Sequence, residues 1–136
     1  MDKKEILAFI TANPIGCMAT IDNNKARVRA MHTFHADEKG LLFYTSKTKD
    51  VNKQLTKNPE IEVCYFNKGT QVRVTGRLQL ENDMAVKKEI AEARPTVKQS
   101  VEREGWDFLV IYRLKKGKAT TWTMADQWAP KTFIDF

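Results

Sequence analysis

The chain has 136 residues and a formal net charge of +6, and this length corresponds to one domain. Its hydrophobic fraction of 42% and charged fraction of 29% are typical of a globular protein and exclude a disordered chain. No apolar run approaches the roughly 20 residues of a membrane-spanning helix, and Thr11, Asn13 and Pro14 interrupt the N-terminal apolar stretch. We therefore expect one cytoplasmic domain over residues 1–136, with neither a membrane span nor a secretory signal.

The N-terminal half is predicted to contain short helices and strands. Asp2-Lys3-Lys4-Glu5 has the spacing of a capping box, and Asn13-Pro14 ends the helix that it begins. Beyond this helix, apolar alternation and turn residues predict strands over 15–21, 25–34, 41–45 and 61–65, with a helix over 48–57.

The C-terminal half alternates strongly between apolar and polar residues from Gln71 to Leu80, with Gly76 as the site of a bulge or bend. Helices are predicted over 82–93 and 95–104, and strands over 106–114 and 119–124. Short hairpin connections and period-2 alternation favour an antiparallel sheet or barrel over a doubly wound parallel sheet.

Excess positive charge is concentrated between residues 25 and 57, where eight basic and three acidic side chains give a net charge of +5. Such a local concentration indicates an anion site. Within it, Arg27 and Arg29 share one face of a predicted strand, about 7 Å apart and opposite the apolar face of Ala26, Val28 and Ala30. They form part of an anion site, or else a solvated strand face with surface salt bridges.

The segment from Thr45 to Lys49 lies between a predicted strand and a predicted helix. A helix N-terminus attracts anions, so lysines there are unfavourable unless an anion sits between them and the helix. Lys47 and Lys49, with the hydroxyls of Thr45, Ser46 and Thr48, therefore predict a site for one compact phosphate, together with the strand arginines. The alternative is a capped helix start with incidental lysines. The glycines of a Walker loop are missing, so a nucleoside triphosphate is not the expected ligand.

The two cysteines and two histidines do not predict a metal or redox centre. Cys17 and Cys64 lie far apart in the sequence, in apolar segments, and form no CxxC pair, so we expect reduced thiols in the core. His32 and His35 are three residues apart on a predicted strand and should face opposite sides.

Several blocks, taken in order, resemble the pyridoxamine 5'-phosphate oxidase-like FMN-binding split barrels, in particular the small general-stress-protein and nitroimidazole-reductase-like members. They are Met18-Ala19-Thr20-Ile21-Asp22, Arg27-Val28-Arg29-Ala30-Met31, the segment from Asp37 to Lys49, and Gln54-Leu55 with Asn58-Pro59. The resemblance implies a mainly β fold: a six-stranded antiparallel split barrel with flanking helices. It also implies a homodimer with FMN at the subunit interface.

The resemblance also implies which residues hold the flavin. The phosphate would lie against Arg29, with Arg27 as a second candidate, and against Thr45, Ser46, Lys47, Thr48 and Lys49. The ring would follow the backbone from Val28 to Met31, in a cleft bordered by Arg29 and Lys49 and not by the 82–104 helices. Trp122 would wall the ring from the neighbouring subunit, or else pack in the core or the dimer interface.

The implied function is that of a flavin-dependent oxidoreductase, in which a nicotinamide donor and a small oxidised acceptor exchange electrons through FMN. True pyridoxamine phosphate oxidase activity is not expected, because the Arg-Leu-His motif of those oxidases is missing from residues 127–136. The alternatives are a non-catalytic flavin-binding or stress-related protein and, with less support, a basic nucleic-acid-binding module. We expect small-molecule partners, with no membrane or nucleic acid.

Overall fold

The computed structural model describes residues 1–136 as four α-helices, one short 3-10 helix at Trp106–Phe108 and ten β-strands. The first half contains α1 (Lys3–Ala12), β1 (Ile15–Asp22), β2 (Lys25–His32), β3 (His35–Asp37), β4 (Gly40–Ser46), α2 (Asp50–Lys57) and β5 (Glu60–Asn67). The second half contains β6 (Thr70–Arg77), β7 (Gln79–Glu81), α3 (Met84–Ala93), α4 (Pro95–Glu104), β8 (Leu109–Leu114), β9 (Gly117–Thr123) and β10 (Ile134–Asp135).

The strands form two sheets in which every neighbouring pair is antiparallel. One sheet has six strands in the order β10-β9-β6-β5-β1-β2, and the other has four in the order β3-β4-β8-β7. Their inner faces enclose the main core, which contains the fully buried Met18, Phe43, Val63, Tyr65 and Leu114. The predicted mainly β, antiparallel split barrel is therefore confirmed, with the two sheets not joined into one closed ring.

Two strands predicted as continuous are each divided between the sheets. Residues 25–34 separate into β2 and β3, and residues 71–80 into β6 and β7. At the second break the amide of Leu78 donates to the carbonyl oxygen of Pro59 at 2.9 Å. Gly76 stays in register, and a Cβ there would lie 2.7 Å from both Leu114 Cδ1 and the Lys116 carbonyl oxygen. Close packing, and not a bulge, therefore accounts for this glycine.

The hairpin between β1 and β2 determines which residues face Arg29. Its two turn residues, Asn23 and Asn24, have φ values of 48° and 66°, the left-handed pair of a type I′ turn. The resulting register places Arg29 directly opposite the buried Met18. Because directly opposed residues share a sheet face, Arg29 lies on the core side of the sheet.

The two faces of β2 are the reverse of the expected ones. Val28 is 69% exposed, and Ala26 and Ala30 are exposed too, whereas Arg29 is partly buried. The physical reason is that no layer of the chain covers the outer face of the sheet at β1 and β2, whereas the C-terminal segment lies over part of that face at β6 and β9. The expectation that the arginine side faces away from the core is therefore wrong for Arg29. Arg27, at the sheet edge, is exposed and pairs with Asp22 at 3.3 Å.

The expectation that both cysteines are core residues is also wrong. Cys17 is exposed and Cys64 only partly buried, because their neighbours Met18 and Val63 take the core positions. The two cysteines stand directly opposite each other where β1 pairs with β5. Partial burial raises the pKa of the Cys64 thiol.

The helices pack against different parts of the barrel. Ile6, Leu7 and Ile10 of α1 join the main core, and the predicted capping box is present, with both Asp2–Glu5 hydrogen bonds at 2.8 Å. The α3–α4 hairpin covers the other face of the four-stranded sheet with a separate cluster that includes Ile90 and Val101. None of the helices combines the length and the apolar character needed to cross a membrane.

Candidate functional site

Arg29 is held by a network that joins β1, β2 and α2. Its Nη1 donates to the Met18 carbonyl oxygen at 3.1 Å and to Thr20 Oγ1 at 2.8 Å, and its Nη2 donates to Gln54 Oε1 at 2.6 Å. The Thr20 hydroxyl donates to the same Gln54 oxygen at 2.6 Å. Thr20 and Gln54 are both buried. The guanidinium plane is therefore fixed before any ligand arrives.

This network leaves part of the guanidinium free for a ligand. Arginine has five N–H donors, and the three hydrogen bonds of Arg29 leave two of them without a partner. Burial lowers the pKa of Arg29, and the nearby Asp50 carboxylate opposes that change. The group stays charged, because arginine does not deprotonate in proteins. A planar cation with free donors suits a phosphate.

The start of α2 lies beside this guanidinium. Lys49 is the N-cap residue and makes no side-chain hydrogen bond to the first turn. The first-turn N–H groups therefore lack the usual side-chain acceptor. Their partial positive charge adds to that of Arg29, although Asp50 in the same turn reduces it.

Two cavities meet at Arg29, Lys49 and Val51. The larger has a volume of about 760 Å³ and lies between β2 and α2, with a mostly charged lining. The smaller, of about 410 Å³, has a more apolar lining that includes Met31, Tyr44 and Phe108. Together they form a groove that is apolar at one end and cationic at the other.

Most of the predicted site residues line this groove. The two cavities bring together Arg27, Val28, Arg29, Met31, Thr45, Ser46 and Lys49. Three others lie elsewhere. Lys47 and Thr48 are exposed and line neither cavity, and Trp122 borders a separate cavity of about 330 Å³ with Gln71 and Arg73.

The structure adds site residues that the sequence analysis missed. Gln54 lies between Val51 and Leu55 on the buried side of α2. A polar residue within an apolar stripe was the pattern that could have identified it as a site residue. Thr96, Val97 and Ser100 of α4 form one wall of the smaller cavity. The expectation that the 82–104 helices stay away from the cleft holds for the larger cavity but is wrong for this one, and no local pattern marks the α4 residues.

The two histidines border one small cleft and do not face opposite sides, because the chain changes sheets between them. His35 Nε2 lies 2.9 Å from both carboxylate oxygens of Glu89. His32 Nε2 lies 3.4 Å from Arg94 Nη2, and its Nδ1 is buried without a partner. Burial lowers the pKa of His32, and the Arg94 charge lowers it further.

His32 should therefore make the protein less stable in mild acid. Its pKa is lower in the folded chain than in the unfolded chain, so the unfolded chain binds the proton more readily as the pH falls below about 6.5. We expect the free energy of unfolding to depend less steeply on pH between 7 and 5 in His32→Gln than in the unmodified protein. Urea unfolding at a series of pH values measures this. Identical slopes for the two proteins would contradict it.

Comparison with solved structures shows where this fold has been seen before. A NimC/NimA family protein from Clostridium acetobutylicum superimposes with a TM-score of 0.80 at 24% identity, covering 98% of this chain and 93% of that one. General stress protein 26 from Bacillus anthracis superimposes with a TM-score of 0.70 at 19% identity, covering 98% of both chains. A FAD-binding protein from Mesorhizobium loti gives 0.64 at 16% identity, covering 89% and 94%.

Comparison at the level of sequence identifies the family. No curated protein matches the sequence significantly. The family model described as pyridoxamine 5'-phosphate oxidase matches residues 2–126, which is nearly the whole chain. The matched segment contains both cavities and the Arg29 network. The chain therefore belongs to the pyridoxamine 5'-phosphate oxidase family.

Proposed function

We propose that this protein is a homodimeric flavoprotein that holds the flavin phosphate at Arg29 and Lys49. FMN is the smallest flavin that carries both the ring and the phosphate. The observation that carries the proposal is the groove itself: an apolar cavity and a cationic cavity meet at these two residues. A flavin mononucleotide has the same division, with a flat aromatic ring at one end and a phosphate at the other.

The smaller cavity suits the ring of a flavin. Its volume of about 410 Å³ lies within the usual range for small-molecule sites. Tyr44, Phe108 and Met31 supply apolar surface, while Thr45 and Ser46 at the end of β4 supply hydroxyl groups. Neither cavity has a histidine or a cysteine in its lining. This favours a flavin over haem, which usually takes such an axial ligand, although one structural neighbour is described as a heme-binding protein from Mycobacterium smegmatis.

The groove supports redox chemistry that depends on the cofactor. A threonine or serine hydroxyl acts as a nucleophile when a base such as histidine lies beside it. The lining of the groove contains Thr45 and Ser46 but no histidine. A bound flavin supplies electron transfer between a donor and an acceptor. In this proposal Arg29 and Lys49 anchor the phosphate, and β2 and α4 shield the ring from water. The proposed oxidoreductase would take electrons from a nicotinamide donor and pass them to a small oxidised acceptor.

We propose that a second copy of the chain packs against the outer face of the six-stranded sheet. This face carries large exposed apolar side chains, including Ile15, Val28, Phe66 and Trp122. A large exposed apolar patch marks an interaction surface. An isologous dimer through this face would bring Trp122, with Gln71 and Arg73 beside it, to the neighbouring subunit, where Trp122 is proposed to border the partner's flavin.

The absorption spectrum of the purified protein tests the proposal directly. We expect a yellow protein that releases FMN on denaturation and binds FMN more tightly than riboflavin, which lacks the phosphate. Oxidation of a reduced nicotinamide with a nitro compound or a quinone as acceptor would establish turnover. Flavin binding without turnover would favour the non-catalytic alternative. A colourless protein that fails to bind added FMN would contradict the proposal.

Replacing Lys49 should weaken FMN moderately. Lys49→Gln removes one point charge from the phosphate site but leaves Arg29 in place, so we expect about a threefold to tenfold loss of FMN affinity. Riboflavin affinity should hardly change. Lys47→Gln is the matched control, because Lys47 is exposed and lies outside both cavities. Fluorescence titration with both flavins measures the effect, and a larger loss for Lys47→Gln would assign the phosphate to that lysine instead.

A further inference from the structure

Two thiols lie next to each other on the outer face of the six-stranded sheet. Cys17 of β1 stands directly opposite Cys64 of β5, and directly opposed residues share a sheet face. Their neighbours Met18 and Val63 are fully buried in the main core, so both thiols lie on the side away from it. Both are free, and they are the only cysteines of the chain. Within one subunit each thiol therefore has a single possible disulfide partner.

The backbone register shows which kind of pair the two cysteines form. The Thr33 amide donates to the Pro14 carbonyl oxygen at 2.8 Å, in line with the β1–β2 ladder. Hydrogen-bonded and non-hydrogen-bonded pairs alternate in an antiparallel ladder, so Cys17 and Ala30, three positions further along, are a non-hydrogen-bonded pair. The N–H and C=O groups of Cys17 consequently point towards β5. Cys17 and Cys64 are therefore a hydrogen-bonded pair, in which the Cα atoms lie about 5.5 Å apart.

This spacing allows a disulfide but strains it. A separation of about 5.5 Å between Cα atoms lies within the range of about 4.4–6.8 Å that disulfides span. The Cβ atoms of a hydrogen-bonded pair lie near the upper end of about 4.5–5.5 Å, whereas a disulfide needs about 3.8 Å. The Cβ atoms must therefore approach each other by roughly 1–2 Å to close the bond. Strain of this kind makes a disulfide easier to reduce, which is the property of a reversible bridge and not of a permanent one.

We propose that Cys17 and Cys64 form a peroxide-sensitive thiol pair, which oxidation converts to a reversible disulfide between β1 and β5. The pair is separate from the flavin groove, because neither cysteine lines either of its cavities. The inference therefore does not depend on the proposed function. With hydrogen peroxide as the oxidant, two thiols and one peroxide give one disulfide and two water molecules.

Exposure indicates which thiol reacts first. Cys17 is exposed, whereas partial burial of Cys64 raises the pKa of its thiol and disfavours the reactive thiolate. The Cys17 thiolate attacks one peroxide oxygen, the O–O bond breaks, and the leaving hydroxide takes up the Cys17 proton as water, which leaves a sulfenic acid. The Cys64 sulfur then attacks the Cys17 sulfur. The S–O bond breaks, and the second hydroxide leaves as water with the Cys64 proton.

Treatment with one equivalent of hydrogen peroxide per chain tests the pair. We expect both thiols to disappear together, the tryptic segments 5–25 and 58–68 to become linked, and dithiothreitol to restore both thiols in the folded protein. Thiol titration and mass spectrometry measure this. In Cys64→Ser the reaction should stop at a Cys17 sulfenic acid, which dimedone traps. Because the proposed dimer would cover this face, Phe66→Asp is treated in the same way, since its added charge on this face should exclude a partner.

A matched control keeps two thiols on the same face but moves one of them out of reach. In Cys17→Ser/Ala19→Cys the thiol at position 19 is opposite Glu62 and diagonal to Cys64, about 7–8 Å away. This exceeds the limit of about 7 Å between Cα atoms, so the control should give less than about a tenth of the disulfide. Equal yields in the control, a link between two copies instead of within one, or no disulfide in either the unmodified protein or Phe66→Asp would overturn the proposal. So would a disulfide that dithiothreitol opens only after unfolding.

Discussion

Arg29→Ala should weaken FMN binding by about 10- to 100-fold. A hydrogen bond to a charged group contributes about 1.5–3 kcal/mol, and each 1.4 kcal/mol corresponds to about tenfold in affinity. Riboflavin should lose less than about threefold, because it has no phosphate for the two free N–H groups of Arg29 to bind. Fluorescence titration of the two flavins side by side measures this difference. Equal losses for both would show that Arg29 does not hold the phosphate.

The same substitution should also lower stability, and a control separates the two effects. Arg29 donates to Thr20 Oγ1 and Gln54 Oε1, both on buried residues, so its removal should lower the free energy of unfolding by about 1–3 kcal/mol. Arg27→Ala is the control, because Arg27 is an exposed arginine of the same strand whose partner is Asp22. It should change FMN affinity by less than about threefold and leave stability nearly unchanged.

Phe66→Asp should convert the proposed dimer to a monomer and weaken flavin binding. Phe66 is 63% exposed on the outer face of the six-stranded sheet and lines neither cavity of the groove. In the proposed dimer a carboxylate there would be buried without a partner, at a cost of several kcal/mol, and twofold symmetry would introduce it twice. Sedimentation equilibrium should show a monomer at micromolar concentration, and FMN affinity should fall at least tenfold.

A control on the other sheet distinguishes loss of the interface from a general effect of the added charge. Leu80 of β7 is 61% exposed but belongs to the four-stranded sheet, so Leu80→Asp should remain dimeric and retain flavin. An unmodified protein that sediments as a monomer with flavin bound would rule out the proposed dimer. A monomeric Phe66→Asp variant with normal FMN affinity would show that the partner subunit contributes nothing to the site.

Local sequence patterns predicted the elements well, because their causes are local. The Asp2–Glu5 capping box and the turn at 22–24 depend on residues close together in the chain. The division of residues 25–34 and 71–80 between two sheets was not predicted, because alternation continues across both breaks. Cys17 stands opposite Cys64 because of the register in which β1 pairs with β5. No local sequence pattern encodes that register.

For the site, the sequence indicated the chemistry better than the geometry. Concentrated charge and a helix start led to Arg29 and Lys49, which both line the groove. The orientation of Arg29 was predicted wrongly, because alternation identifies two faces of a strand but not which one meets the core. The wall formed by Val97 and its α4 neighbours arises from packing between distant segments.

The hydrogen bond from Arg29 to Gln54 couples the ligand to a helix. Gln54 is the residue through which α2 contacts both Thr20 of β1 and Arg29 of β2. A ligand that binds Arg29 within this network thereby also favours the docked position of α2, and undocking of α2 would release Arg29 from one of its supports. Occupancy of the groove and local opening of this helix are thus linked equilibria. The amide protons of α2 would then exchange with solvent more slowly as the groove fills.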